Sequence, residues 1–338
     1  MKPLNPPTTS VLHPPAPAVT VHAITDPMAV SEDLDVLEQD AVKLERSPLR
    51  ARRIAVRLGS SVLLFQTTNL AIRTRTTLQG EMTAFVAFGP SATGTLNGRS
   101  IRPDRIVAGS PGVRVEFVVG AGYESVSVLV APEDLRALVP SRWRVDRAPA
   151  APDIELLQST AGSRLFDCGK QIACAAAARP ELFEDVYAKA GAKAELFKVL
   201  DSTLRSAVAA EPETRDATRR AYSRVVQTAE DYALKHPAEP LYMINLCKAA
   251  SVSERTLQNA FKEIMGMTPV AFLTRLRLHR VRRALRAAND HSTTVSAEAR
   301  KWGFWHLGEF PRAYRDCFGE LPSDTLKGRH RAGGDNPP

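Results

Sequence analysis

Two short stretches carry the side chains best suited to chemistry, and both fit contact with nucleic acid. In SVSERTLQNAFKEIMGMTP (251–269), the apolar residues Leu257, Phe261 and Ile264 share one face at 100° per residue. The opposite face carries Arg, Asn and Lys, flanked by Gln; Arg suits guanine, Asn or Gln suits adenine, and Lys suits phosphate. An ordinary solvated helix face is the alternative. The candidate DNA contacts are Ser253, which can also cap the helix, Arg255, Gln258, Asn259 and Lys262.

The second stretch repeats the first. AFKEIMGMTP (260–269) aligns without a gap with AYRDCFGELP (313–322), so Ala, aromatic, basic, acidic, Gly and Pro positions recur in register. A short helix and a tight turn precede each copy, which predicts two helix-turn-helix units. Phe310 and Tyr314 mark the core side of the second unit. Its candidate DNA contacts are Arg312, as the base reader, with Arg315, Gly308, Glu309 and His306, although His306 could equally be a turn residue.

A single helix of about 20 residues is predicted between the two units. Thr268 is a natural cap, and Pro269 fits the first helical position. Such a helix spans about 30 Å, close to the ~34 Å between successive major-groove faces on one side of B-DNA. One side of it carries His279 and three candidate phosphate contacts, Arg275, Arg282 and Arg286, which could instead simply solvate the helix.

The regions before these units change character along the chain. Residues 50–130 contain short runs rich in β-branched residues between turn signals, which predicts a barrel or sandwich. Asn97-Gly98 is a strong hairpin signal because a type I′ turn needs positive φ twice. From Ile154 to His236 the pattern is helical, and we interpret it as bundle helices or, alternatively, as including a dimerisation helix.

Composition favours an intracellular protein with a polyanionic partner. The net charge is +8, and residues 236–330 hold 15 Lys and Arg against 9 Asp and Glu. The N-terminus reads as a proline-rich tail, not a targeting segment, and no apolar run approaches the ~18 residues of a membrane helix. The four cysteines match neither a C-x-x-C pair nor a zinc spacing, so a reducing cytoplasm fits best.

No enzyme motif is found. The G-x-S-x-G, Walker, H-E-x-x-H and G-x-G-x-x-G patterns are missing from the sequence, and the seven histidines are scattered. We therefore expect no catalytic residue, no metal site and no cofactor. A non-catalytic RNA binder is the other alternative, but RNA modules favour aromatics exposed on a sheet, whereas Phe261, Phe310 and Tyr314 occupy core positions.

Within residues 239–328, LCKAASVSERTLQNAFKEIMGMTPVAFLTRLRLHRVRRAL and KWGFWHLGEFPRAYRDCFGELPSDTL resemble the DNA-binding domain of the AraC/XylS family of bacterial regulators. WGFWHLGEF is most similar to a subgroup that includes ethanolamine-operon regulators. The resemblance implies sequence-specific binding to double-stranded promoter DNA and activation through RNA polymerase. It places the base-contacting slots on Arg255, Gln258 and Asn259, and on Gly308, Glu309 and Arg312.

The same resemblance, which is looser toward the N-terminus, implies a sensing domain that binds a small effector or a partner and controls homodimerisation. A constitutive or partner-controlled DNA-binding protein without a ligand is the alternative. The predicted fold is α+β: an N-terminal β-rich (cupin-like or barrel) sensing domain, a helical linker and a C-terminal all-α domain with two helix-turn-helix motifs. The boundaries are a disordered tail at 1–30, the β-rich domain at 31–150, the linker or dimerisation region at 151–236, the DNA-binding domain at 237–330, and a disordered tail at 331–338.

Three residues depart from the family pattern. Ser251 stands where the turn glycine is usual, and Ser tolerates that backbone shape less well. Glu298 stands where an apolar core residue is expected, so its carboxylate must be exposed, paired or protonated. Pro311 lies early in the second recognition helix, where only the first turn can lack an N–H without loss. We therefore expect the second helix to read fewer bases and mainly to grip phosphates.

Overall fold

The computed structural model describes residues 17–27, 35–138, 153–210, 214–288 and 293–332. Most of the two tails expected at 1–30 and 331–338 lies outside the described residues. One part of the N-terminal prediction is corrected: Val19–Ile24 form strand β1, which pairs antiparallel with β3 (Ala51–Leu58) from Val19↔Val56 to Ile24↔Ala51. The proline count of the tail obscured this β-branched run, which finds its partner only in the folded domain.

The N-terminal part is a domain of two antiparallel sheets. The larger sheet has the order β1-β3-β4-β11-β6-β9-β12-β13, and the smaller has the order β2-β5-β10-β7-β8. The remaining strands are β2 (Leu37–Lys43), β4 (Ser61–Thr68), β5 (Ile72–Leu78), β6 (Thr83–Phe88), β7 (Gly94–Leu96), β8 (Arg99–Ser100), β9 (Arg105–Gly109), β10 (Arg114–Val119), β11 (Tyr123–Val130), β12 (Ile154–Gln158) and β13 (Val208–Ala209).

The hairpin predicted at Asn97-Gly98 is confirmed. Leu96 of β7 pairs with Arg99 of β8, and the two residues between them have φ of 47° and 76°. Asn and Gly tolerate these left-handed conformations better than other residues, which is why the dipeptide predicted the turn.

Each face of the β-domain has a different neighbour. The inner faces of the two sheets share one apolar core, which includes Leu64 and Val86 from the larger sheet and Val115 from the smaller. The outer face of the larger sheet is covered by α2 (Gly162–Ala178) and α3 (Val186–Arg205). The outer face of the smaller sheet lies against α4 and α7 of the C-terminal part, through the ion pairs described below.

The C-terminal part is all helical among its described residues. Besides α1 (Pro132–Leu138), α2 and α3, which pack in the N-terminal part, the α-helices are α4 (Thr214–Lys235), α5 (Met243–Ala250), α6 (Glu254–Met265), α7 (Pro269–Ala287), α8 (Val295–Lys301), α9 (Phe310–Phe318) and α10 (Pro322–Ala332). One core surrounds α6 and a second surrounds α9, and α7 contributes to both. The predicted fold class, β-rich followed by all-α with two helix-turn-helix units, is confirmed. No helix of the described segments is long and apolar enough to cross a bilayer.

Helix α4 packs differently from what the domain prediction implies. It belongs to the linker region predicted at 151–236, yet Val226 and Ala229 are fully buried in the same cluster as Leu246 and Leu257. A helical stripe shows that a face must be buried but does not identify the surface that buries it. By its contacts, α4 is the first helix of the C-terminal core.

Candidate nucleic-acid interface

The first helix-turn-helix consists of α5, a tight turn and α6. Ser251 ends α5 in the left-handed conformation, at φ 53° and ψ 41°. Ser253 then caps α6, because its Oγ accepts a hydrogen bond from the Thr256 backbone N–H at 3.2 Å. Leu257 and Phe261 are fully buried, so the apolar stripe of α6 faces the core as predicted.

The opposite face of α6 is exposed to solvent. Ser253, Arg255, Gln258, Asn259 and Lys262 are all exposed, and none of them has an ion pair among the described residues. The Gln258 side-chain amide donates a hydrogen bond to the Glu254 carboxylate at 3.0 Å. The face is therefore free to meet a duplex, with Gln258 held near the helix start.

The second helix-turn-helix consists of α8, a turn and α9. Gly303 takes a left-handed conformation in this turn, at φ 79°, close to the position that Ser251 occupies in the first unit. Arg312 and Arg315 are exposed on α9, whereas Phe310 and Tyr314 are buried. The three other candidates, His306, Gly308 and Glu309, are exposed too, but they lie in the turns before α9 begins.

Helix α9 is shorter than α6, with 9 residues against 12. Pro311 is its second residue, within the first turn, where its missing N–H leaves no helical hydrogen bond unmade. Because Gly308 and Glu309 precede the helix, the second unit presents only Arg312 and Arg315 of its candidates from a regular helix.

These units were compared with known proteins. Residues 246–328 match a family model described as a helix-turn-helix domain. The chain is 35% identical over 103 residues to the probable thc operon regulatory protein of Rhodococcus erythropolis, covering 30% of this chain and 31% of that protein. It is 34% identical over 106 residues to the XylDLEGF operon transcriptional activator of Pseudomonas putida, covering 31% and 32%. A solved probable AraC family regulator from Rhodopseudomonas palustris is 37% identical, with a TM-score of 0.28, covering 31% of this chain and 95% of that one.

Residues 246–328 are an AraC-type helix-turn-helix domain. The chain spans about a third of the length of the two curated relatives just described.

Glu298 is accommodated in the AraC-type domain by pairing. Its carboxylate accepts a hydrogen bond from the Thr293 hydroxyl at 3.0 Å and lies 4.0 Å from the Lys301 ammonium. Its side chain is 12% exposed, while the corresponding Leu246 of the first unit is fully buried. The expectation that this carboxylate needs a partner or solvent is thus met by the Thr293 hydroxyl.

The three candidate phosphate contacts on the linking helix α7 of the AraC-type domain interact with other parts of the protein, which the sequence did not predict. Arg282 is 7% exposed, lies 4.4 Å from the centre of the Phe318 ring, and pairs with Glu320 at 2.9 Å and Asp26 at 3.5 Å. Arg286 pairs with the same Asp26. Arg282 is therefore held within the protein, whereas the Arg286 side chain is 43% exposed beside the Asp26 carboxylate.

Arg275 and His279 also lie against protein. Arg275 donates a hydrogen bond to the Lys43 backbone carbonyl of the β-domain at 3.2 Å. His279 is 1% exposed, packs edge-on to Phe318, and has no hydrogen-bond partner for either ring nitrogen among the described residues. Burial lowers its pKa to about 3, and the nearby Arg282 adds to the effect, so the imidazole is neutral at ordinary pH.

A cluster of buried charges between the two parts of the protein was missed by the sequence analysis. Arg73 and Arg75 of β5 meet Glu230 of α4, and Asp40 of β2 meets Arg280 of α7 at 2.8 Å. Burial raises the pKa of Asp40, but Arg280 and Arg73 outweigh it, so the net shift is downward and the carboxylate stays ionised. Arginines at alternate positions of a β-branched strand, both on one face, were the only signal available beforehand.

A cavity of about 130 Å³ lies between the two sheets of the β-domain. Its lining is mainly apolar, with small side chains such as Ala84 and Ser127 where a larger residue would fill the space. Arg53 places a buried positive charge in the cavity wall. Its guanidinium donates a hydrogen bond to the Gln39 side-chain oxygen. When the Gln66 amide is oriented to satisfy its neighbours, the guanidinium also donates to the Gln66 side-chain oxygen at 2.8 Å.

Proposed function

We propose that this chain is a sequence-specific DNA-binding transcriptional regulator, acting as an activator, that inserts α6 and α9 into successive major-groove segments. The observation that carries the proposal is the duplicated unit: two helices, each with a buried apolar stripe and an exposed polar face, joined by the 19-residue helix α7. At 1.5 Å per residue α7 is ~29 Å long, which suits two recognition helices placed about one duplex turn apart.

Within this proposal the first helix reads bases and the second mainly holds the backbone. Arg255, Gln258 and Asn259 have the side chains that hydrogen-bond to base edges, and Lys262 suits a phosphate. On α9 the regular helix offers Arg312 to a base and Arg315 to a phosphate. Ser253, His306, Gly308 and Glu309 border the two faces and are proposed as supporting contacts.

The partners follow from the same proposal. They are double-stranded promoter DNA and RNA polymerase, reached in the cytoplasm, and the motif WGFWHLGEF favours the subgroup of ethanolamine-operon regulators. Val186 and Tyr187 at the start of α3 are 69% and 86% exposed, which supports a homodimer formed through this helix.

An effector would bind in the β-domain cavity. A cavity of this size, lined by aliphatic side chains, holds a body about as large as benzene, since an engineered ~150 Å³ cavity binds benzene. The guanidinium of Arg53 and the amides of Gln39 and Gln66 would receive one polar or anionic group of the ligand. The effector we propose is therefore small and mostly apolar.

One observation favours the alternative, a regulator that needs no small ligand. The candidate base-reading side chains are already exposed in this conformation, so DNA could bind without any change. Melting temperatures measured across a panel of small apolar acids and amides separate the two cases. A concentration-dependent rise that is lost in Ser127→Leu supports an effector, whereas no rise across the panel supports constitutive or partner control.

The test of DNA reading uses spacing. Genome-wide mapping of bound sites would first supply the operator, and its footprint should cover two adjacent major-groove segments. Inserting five base pairs between the segments turns one of them to the opposite side of the duplex, so affinity should fall at least tenfold. Insertion of about ten base pairs lengthens the span beyond the reach of α7 and should weaken binding as well. Binding that neither insertion affects would contradict the proposal that α6 and α9 enter two successive major-groove segments.

A further inference from the structure

The smaller sheet of the β-domain is a single layer between the cavity and the AraC-type domain. Successive side chains of a strand point to opposite faces, so neighbouring residues serve the two sides. On β2, Gln39 lies in the cavity wall and the next residue, Asp40, pairs with α7. The same alternation places Thr74 and Thr76 in the cavity wall and Arg73 and Arg75 against α4.

The far side of this sheet holds its ion pairs almost without solvent. Arg73 and Glu230 are fully buried and in direct contact, and Glu116 of β10 is 2% exposed. Arg75 lies 3.1 Å from the Glu230 carboxylate and 3.3 Å from Glu116. Charges removed from water depend on close partner geometry, so a small shift of β5 is costly unless α4 moves with it.

A third link joins the sheet to α7. Asp40 bridges Arg73, at 3.2 Å, and Arg280, at 2.8 Å, so one carboxylate connects β2, β5 and the linking helix. Helix α4 packs on α6, and α7 carries the second unit. Helices α4 and α7, which contact the smaller sheet, are therefore the helices that position α6 and α9.

We propose that the smaller sheet transmits filling of the cavity to the orientation of α4 and α7, with Asp40, Arg73, Arg75 and Glu230 as the joint. A group that occupies the cavity presses on Gln39, Thr74 or Thr76, and the displaced strands carry the joint residues on their other face. Only the consequence at DNA rests on the proposed function; the mechanical coupling itself does not.

The test is a double-substitution cycle that needs no ligand. Thr76→Leu fills the cavity from the smaller sheet, and Glu230→Gln weakens the joint from α4. Hydrogen exchange of the α4 backbone amides is measured in the parent, both single variants and the double variant, with the α2 amides on the larger sheet as internal reference. We expect the effect of the double variant to differ from the product of the single effects by threefold or more; equality with the product would overturn the inference.

Ser127→Leu fills the same cavity from β11 of the larger sheet, so it also presses on the smaller sheet and should show the same coupling with Glu230→Gln. The matched control is Val128→Ala, the next residue of β11, because its side chain lies in the core on the other face of the larger sheet and leaves the cavity wall unchanged. Combined with Glu230→Gln it should give the product of the single effects within twofold; coupling as strong as that of Thr76→Leu would show that transmission is not specific to filling of the cavity. Should Thr76→Leu fail to fold, Val115→Ala enlarges the cavity from β10 of the same sheet and must show the coupling in its place.

The result at DNA is read separately. If the chain regulates transcription, Thr76→Leu should change operator affinity at least threefold while Val128→Ala changes it less. A chain that shows the exchange coupling but binds no duplex refutes the proposed function and leaves the coupling intact. If the chain binds its operator but shows no exchange coupling, the proposed function stands and the proposed transmission through the smaller sheet is refuted.

Discussion

At the scale of single residues, the two turns of the repeat solve the same problem with different side chains. Both must place one residue in the left-handed region, and the first unit uses Ser251 while the second uses Gly303. A non-glycine residue pays about 1 kcal/mol or more for that conformation because its Cβ approaches the following carbonyl. The serine at a position where glycine is usual predicted this strain from the sequence.

Ser251→Gly is therefore expected to raise the free energy of unfolding by about 0.5–1 kcal/mol. The reverse test is Gly303→Ala, where the new Cβ would lie 2.6 Å from the Arg277 guanidinium and 2.9 Å from the Pro237 carbonyl oxygen. That variant should lose more than about 1 kcal/mol. Chemical denaturation of both variants checks the pair, and a destabilised Ser251→Gly would contradict the strain argument.

The proposed reading of bases can also be tested at single residues. Arg255→Ala should cost roughly 1–3 kcal/mol at one base position and relax specificity there. Lys262→Ala should weaken binding evenly over all sequences and reduce the salt slope by about one, because it removes one phosphate contact. Titrations of both variants against operator variants at several salt concentrations distinguish the roles. A loss confined to one base in Lys262→Ala, or none in Arg255→Ala, would reverse the assignment.

At the scale of elements, the repeat allows each helix to be compared with its counterpart. Glu298 of α8 stands where α5 has the fully buried Leu246, and one of its oxygens has no hydrogen bond in the described residues. Replacing a half-satisfied buried carboxylate by an aliphatic side chain is often neutral or stabilising. At this position α8 therefore has a partly satisfied carboxylate where α5 has an apolar side chain.

We expect Glu298→Leu to keep or raise the melting temperature, with a gain of about 1 kcal/mol at most. The mirror substitution, Leu246→Glu, buries a carboxylate without a partner and should cost at least about 3 kcal/mol. Thermal unfolding of the two variants measures the asymmetry between the units. Equal destabilisation by both would mean that the Thr293 hydrogen bond fully supports Glu298.

Helix α7 makes stability depend on pH through His279. The folded-state pKa of about 3 lies below the ordinary 6.5, so the unfolded chain binds the proton more readily between these values. Stability from this residue is full above pH 6.5 and falls by up to about 1.4 kcal/mol per pH unit below it, until about pH 3. In His279→Leu the loss of stability between pH 7.5 and 5 should be about 2 kcal/mol smaller than in the parent. Identical pH profiles by denaturant titration would show that another group is responsible.

At the scale of the whole molecule, the hairpin turn of β7 and β8 also serves the contact between domains. A Cβ at Gly98 would lie 2.5 Å from the backbone oxygen of Arg219 in α4. Ser100, two residues later, receives a hydrogen bond from Arg219 at 3.0 Å and donates one to Asp216 at 3.2 Å. The β-domain and α4 are thus in backbone contact at one end of the helix and in ionic contact at the other.

Gly98→Ala should loosen this contact, while Gly122→Ala is its control. Both glycines have φ of 76°, so both substitutions carry the same conformational cost, but a Cβ at Gly122 meets nothing within 4 Å. We expect Gly98→Ala to increase hydrogen exchange in α4 several-fold more than Gly122→Ala, and to lower stability by at least about 1 kcal/mol more. Equal effects of the two variants would mean that Gly98→Ala acts only through backbone strain and that the turn does not hold α4 against the β-domain.

The sequence by itself determined the local features of this protein. Helix caps at Ser253 and Thr268, the apolar stripe of α6 and the Asn97-Gly98 turn are written in neighbouring residues, because the period of the backbone fixes which side chains share a face. The exposed polar faces of α6 and α9 followed from the same rule. The repeat then made the helix-turn-helix prediction specific.

Only the tertiary structure decided what those elements lie against. Asp40 and Arg280 are 240 residues apart, and Asp26 reaches Arg286 from the segment that follows β1, so no local pattern could pair them. The same holds for the burial of α4 and for the cavity, whose lining comes from strands of both sheets. The sequence of a helix does not show whether a charged side chain contacts water, phosphate or a carboxylate. Which of these it contacts depends on packing between parts of the chain that are far apart.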